Sequence, residues 1–287
     1  MKNIKFGILG GDERYRILKE LLEKDGYTVY SYCCPFIEKS EDSAENLFQK
    51  SDVMIGPIPF SRNSRSLALN ACREDDLEEV FGSMQQNGLT LLFCGSVSRE
   101  VREMALKYNI TVYDFFAMEE VAVKNAIPTA EGAVQAAMNE SRRTIFRSPA
   151  LVLGYGRCGK ALAALLKGMG AEVTVACRNK TAAAAIYTGG FESIYFSELK
   201  DNIHKYAHIF NTVPAPVIDR ELLGTVDKRA VITDIASAPG GVDFNAAAEL
   251  GIKALYCPGL PGRVAPETAA LILKDALLPL TLSHFSK

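Results

Sequence analysis

LVLGYGRCGKALAALLKGMGAEVTVACRNKTAAA, residues 151–184, decides how the whole chain is read. LVLG (151–154) is an apolar strand ending in glycine. Gly154, Gly156 and Gly159 then follow in Gly-x-Gly-x-x-Gly spacing, a helical stretch comes next, and EVTVAC (172–177) is a second strand. The glycine spacing alone is common. Placed between a strand and a helix, with a second strand following, it predicts a dinucleotide site. Gly154 permits a tight turn, Gly156 lets the backbone approach a pyrophosphate, and Gly159 lets helix and strand pack closely. The helix amino terminus adds amide donors and the positive end of its dipole. The whole loop, Gly154, Tyr155, Gly156, Arg157, Cys158 and Gly159, is expected to line the cofactor.

The end of the second strand selects the cofactor. An acidic residue there would accept hydrogen bonds from a ribose 2′-hydroxyl and repel a 2′-phosphate. This chain has Ala176 and Cys177 followed by Arg178, Asn179 and Lys180, a set that pairs with a dianionic phosphate. NADP is therefore expected over NAD. HIFNTVPAPVI (208–218) carries Asn211, Thr212, Val213 and Pro214 to the edge where the nicotinamide half lies. TDIASAPGGVDF (233–244) brings Asp234 and Ser237 to the end of the next strand, and CPGLPGRVAPETA (257–269) ends another.

Working outward, both halves alternate strand and helix, which predicts parallel sheets covered by helices. The first half offers strands in IKFGILGG, YTVYSY, SDVMIGP, GLTLLFCG and NITVYDF, with helices in DERYRILKELLEKDG, around Arg73–Glu79, and in SREVREMALKY. The second half offers six strands. The expected fold is α/β, two doubly wound Rossmann-like domains around a cleft, the second binding the dinucleotide. The expected boundaries are a substrate domain at 1–125, a connecting helix at 126–147, the nucleotide domain at 148–258, and a segment at 259–287 returning to the first domain. Pro128 is expected to interrupt the connecting region, with Asn125 or Thr129 capping the helical turns beyond it.

Composition narrows the partners. The 287 residues carry a formal charge of −2, with no basic block and no 20-residue apolar run, so neither nucleic acid nor membrane is expected. The seven cysteines show no metal spacing and no disulfide framework, and the three histidines share no motif. A reducing, cytoplasmic setting is expected, with Cys94, Cys158 and Cys177 as small buried apolar residues and no metal site.

In the first half, GGDERYR places Gly10, Gly11, Asp12 and Arg14 just past the first strand. Asp12 has two readings, helix cap or cleft-facing acid. Arg62 and Arg65 follow the third strand, and Thr129 and Glu131 lie on the connecting helix. Arginines converging on such an edge suit a small substrate with carboxylates. Arg14, Arg62, Thr129 and Ser237 are the candidate substrate contacts. Asp12, Glu131 and Asp234 are the candidate proton carriers, chosen by chemistry and expected placement.

GGDER (10–14), GPIP (56–59), NAIPTAEGA (125–133), LGYGRCG (153–159), NTVPA (211–215), DIASAPGGVDF (234–244) and PGLPGRVAPETA (258–269) together resemble the dipicolinate synthase A subunit of endospore-forming bacteria. The last two stretches are the most particular. The resemblance implies NADP-linked oxidation of dihydrodipicolinate to dipicolinate in the sporulating mother cell. It also implies a flavoprotein-like second subunit, and a shape like formate/glycerate and alanine dehydrogenases. Two other readings stay open: an NADP-linked dehydrogenase of another small carboxylate, and a non-catalytic NADP-binding subunit. Self-association also stays open.

Overall fold

Parallel strands covered on both faces are written as near-continuous apolar runs, as in VMI (53–55), LLFC (91–94) and ALVL (150–153) here. A computed structural model of the chain describes residues 4–38, 40–69 and 75–286. Two compact units emerge, Met1–Lys124 with Ala265–Lys287, and Asn125–Val264.

The first unit runs β1 (Lys5–Leu9), α1 (Glu13–Lys24), β2 (Thr28–Tyr32), α2 (Ala44–Lys50), β3 (Val53–Ile55), α3 (Leu77–Gln86), β4 (Leu91–Cys94), α4 (Arg99–Lys107) and β5 (Thr111–Asp114). Its sheet is parallel in the order β2-β1-β3-β4-β5. Alternation along each strand divides the side chains between two cores. Phe6, Ile8, Val53, Ile55, Leu91 and Phe93 enter one; Leu9, Met54, Leu92 and Cys94 enter the other.

Helix α5 (Glu119–Glu140) leads into the second unit. There follow β6 (Pro149–Leu153), α6 (Arg157–Gly168), β7 (Glu172–Cys177), α7 (Lys180–Thr188), β8 (Glu192–Tyr195), α8 (Leu199–Asn202), β9 (His208–Asn211), α9 (Arg220–Leu223), β10 (Val231–Asp234), α10 (Phe244–Leu250), β11 (Lys253–Tyr256) and α11 (Leu260–Val264). Helix α12 (Pro266–Phe285) belongs to the first unit, where Ala270, Leu273, Ala276 and Leu277 share a core with Ile17, Leu18 and Leu22 of α1. The second sheet is parallel in the order β11-β10-β9-β6-β7-β8. Strands β9 and β10 are buried throughout, whereas the edge strands β8 and β11 are largely exposed.

These orders locate the ligand edges. The second sheet reverses direction between β6 and β9 and the first between β1 and β3. In open α/β sheets, ligands bind beyond the strand carboxyl ends at such reversals.

Three expectations need correction. Pro128 lies inside a continuous α5 rather than breaking it, and neither Asn125 nor Thr129 caps a helix; the Thr129 hydroxyl donates to the Asn125 carbonyl at 2.7 Å. Burial of Ala130, Ala133, Val134 and Ala137 outweighs the local break. The helix expected around Arg73–Glu79 instead begins at Leu77, capped by Asp76, and residues 70–74 lie outside the described residues. Cys33 is disulfide-bonded, while Cys34, Cys94, Cys158, Cys177 and Cys257 are free thiols. A pairing made by tertiary approach leaves no local spacing to read.

Candidate nucleotide and substrate sites

The glycine loop lies at the β6/β9 reversal. Gly154 sits at φ +95°, and a Cβ there would stand 2.7 Å from Thr212 Oγ1. A Cβ on Gly159 would stand 2.2 Å from the Gly154 carbonyl oxygen, so the third glycine serves helix–strand packing. Around Gly156 the space is open: no atom lies within 4 Å of where its Cβ would be. Gly156 also caps α6 without a side-chain hydrogen bond, which leaves first-turn amides for a ligand. These features fit a pyrophosphate.

Around this loop the expected residues divide. The Tyr155 ring meets Phe191 edge-on at 6.1 Å, with Lys160 Nζ 5.6 Å from its centre, so its side chain is engaged in packing. Arg157 is exposed at the helix start, and Cys158 is partly buried, with burial pushing its thiol pKa up. Past β7, Arg178 and Lys180 are exposed and make no ion pair among the described residues. The Asn179 side chain accepts from Ala182 N at 2.9 Å and caps α7.

At the β9 and β10 ends burial is complete. Asn211 and Asp234 expose no surface and are hydrogen-bonded to each other at 2.8 Å. Thr212 donates its hydroxyl to the Leu153 carbonyl at 2.8 Å, tying the β9 end to the glycine loop. Val213 is buried, whereas Pro214 and Ser237 are exposed. The Asp234 side chain is therefore enclosed within the fold. Sequence reasoning passed over Gly241, whose amide donates to Asp234 at 2.7 Å; the glycine pair after an acidic strand end was the available signal.

Within the first unit, Asp12 and Arg14 come together at the β1/β3 reversal. Asp12 caps α1 by accepting from Arg14 N at 3.2 Å. Its carboxylate also receives Arg14 Nε at 2.9 Å and Nη2 at 2.7 Å, a bidentate pair. Arg14 is 4% exposed and Asp12 34%. Burial opposes the guanidinium charge, but the Asp12 hydrogen bonds hold its pKa above the ordinary value. Gly11, at φ +108°, exists for packing: a Cβ there would strike the Tyr15 ring at 2.4 Å, and the Tyr15 hydroxyl donates to the Gly56 carbonyl at 3.0 Å. Cys34 donates its thiol to the Gly10 carbonyl at 2.9 Å, and burial pushes its pKa up to about 12, so it stays protonated.

The remaining candidates are more scattered. Arg62 and Arg65 are exposed on the loop after β3. In the second unit the Thr129 hydroxyl is spent within α5. Glu131 is exposed on α5, lining a shallow groove with Val134, Met138, Leu165 and Met169 rather than the glycine loop.

A six-stranded sheet of this order, with a glycine loop at its reversal, defines the class: an α/β protein with a dehydrogenase-type Rossmann fold. The D-lactate dehydrogenase of Escherichia coli shares that fold, with a TM-score of 0.65 at 14% identity, over 99% of this chain and 98% of that one. Three further matches are to one kind of protein. Residues 5–116 match the N-terminal domain of the dipicolinate synthase A subunit. The dipicolinate synthase A subunit of Bacillus subtilis is 29% identical over 284 residues, 96% of this chain and 95% of that protein. The structure of the same subunit from Bacillus halodurans aligns with a TM-score of 0.86 at 28% identity, covering 97% of both chains. Along nearly its whole length the chain is similar to dipicolinate synthase A subunits.

Proposed function

We propose that this chain is the A subunit of a dipicolinate synthase and oxidises dihydrodipicolinate to dipicolinate with NADP, in the cytoplasm of a sporulating mother cell. The observation that carries the reading is the uncapped start of α6 beside the open space at Gly156, with exposed Arg178 and Lys180 past the neighbouring strand. First-turn amides and Arg157 would hold the pyrophosphate, and Arg178 with Lys180 a 2′-phosphate. When bound, the nicotinamide supplies the hydride acceptor.

The chain's own residues supply orientation and charge. A dicarboxylate calls for cations within reach, and exposed Arg62 is the accessible candidate, Arg14 being 4% exposed and paired with Asp12. Aromatisation leaves a proton to be taken up. Of Asp12, Glu131 and Asp234, Asp12 alone sits at a strand carboxyl end with access to solvent. Both of its carboxylate oxygens are already hydrogen-bonded to Arg14. That feature favours a second reading, in which a flavoprotein-like partner contributes the proton acceptor to a shared site.

Absorbance at 340 nm, with NADP and enzymatically generated dihydrodipicolinate, tests both. A substrate-dependent rise from this chain alone supports the first reading. A rise only after the second subunit is added supports a shared site. No rise in either case, with turnover of another small carboxylate, would replace the substrate.

A further inference from the structure

Asp234 and Asn211 are register partners on β10 and β9. Burying a carboxylate is costly unless its oxygens are matched by donors. Here Oδ1 accepts from Asn211 Nδ2 at 2.8 Å and Ala236 N at 2.9 Å, and Oδ2 from Gly241 N at 2.7 Å. Asn211 is fully used as well, its Nδ2 donating to the Val213 carbonyl at 3.0 Å and its Oδ1 accepting from Val213 N at 3.1 Å.

Gly241 closes the arrangement. Its carbonyl accepts from Val217 N at 3.1 Å and Ile218 N at 2.9 Å. A Cβ on it would stand 2.4 Å from Asn211 Nδ2, 2.7 Å from the Val213 carbonyl and 2.8 Å from the Ala215 carbonyl. With Thr212 bonded to Leu153, the ends of β6, β9 and β10 form one connected edge.

We propose that Asp234 is a positioning residue rather than a proton carrier. With Asn211 and Gly241 it locks the loops after β9 and β10 to the glycine loop, so that the cofactor edge is formed before any ligand arrives. The inference rests on the dinucleotide reading above and deepens it. A preformed edge avoids ordering cost on binding, and a misplacement of about 1 Å at such an edge can lower turnover roughly 100-fold.

The first test is amide hydrogen exchange on the ligand-free wild-type protein, read by NMR. The Ala236 and Gly241 amides are expected to exchange at least about 100-fold more slowly than the amide of the exposed residue Ser237. Exchange at the same rate overturns the proposal. The second test titrates NADPH fluorescence against Asp234→Asn and Asn211→Ala, the latter keeping the charge should the former fail to fold. Both are expected to weaken NADPH binding about tenfold or more, with the pH profile of residual turnover unchanged in shape. Wild-type affinity with turnover abolished and one limb of the pH profile missing would make Asp234 a proton carrier. A lowered Tm with wild-type affinity would make its role structural only. If wild-type protein binds no dinucleotide while the amides are protected, the functional reading fails and the lock stands.

Discussion

A Cβ on Gly159 would stand 2.2 Å from the carbonyl oxygen of Gly154, whereas a Cβ on Gly156 would meet nothing within 4 Å. Two glycines of one motif thus answer to different constraints, one packed inside the fold and one beside open space. Gly159→Ala is expected to destabilise the second unit by about 1–3 kcal/mol through overpacking against backbone. Gly156→Ala is expected to leave Tm nearly unchanged and to weaken NADP binding about tenfold or more. Thermal unfolding beside cofactor titration checks both; equal Tm losses would show that Gly156 is also structural.

Charge past β7 is expected to set the cofactor preference. Arg178→Asp should lower NADP affinity at least tenfold more than NAD affinity, because a carboxylate repels a 2′-phosphate and accepts from a 2′-hydroxyl. Equal losses for the two cofactors would mean that Arg178 is a solvated loop charge.

The Asp12–Arg14 pair couples a helix cap to a buried cation. Asp12→Ala leaves the Arg14 guanidinium buried without its partner and is expected to cost about 2–4 kcal/mol. Adding Arg14→Met removes the stranded charge and should recover most of that loss, less about 1 kcal/mol for the missing cap. A double-mutant cycle by denaturant unfolding measures the coupling, and simple additivity would contradict it.

Acid sensitivity has an identifiable contributor. His208 is fully buried at the start of β9, its Nδ1 without a hydrogen-bond partner among the described residues and its Nε2 3.4 Å from the Thr144 carbonyl. Burial, aided by the Arg143 charge, lowers its pKa below the ordinary 6.5. The unfolded chain therefore binds a proton below about pH 6.5 that the folded chain refuses, and stability falls as pH drops, by up to about 1.4 kcal/mol per pH unit. His208→Leu should flatten the stability profile between pH 7 and 5. An unchanged slope would place the acid sensitivity elsewhere.

Local order made the second sheet legible. Glycine spacing, flanking apolar runs and the ArgAsnLys segment all lie within 30 residues of one another, so the loop, both strands and the helix could be read directly. The family resemblance rested on short stretches of the same kind. The sequence could not tell which polar groups at strand ends face a ligand. Asp234 and Asn211 read as cleft residues, yet adjacent strands bring them together as buried partners. The Asn179 and Thr129 side chains were taken up by nearby backbone groups, and Pro128 passed inside a helix because apolar packing on the far side outweighed the lost hydrogen bond. Element type and loop chemistry follow from short-range sterics and hydrogen bonding, which the sequence carries by itself. Burial and hydrogen-bond partnership depend on which distant segments meet, and only the tertiary structure decides that.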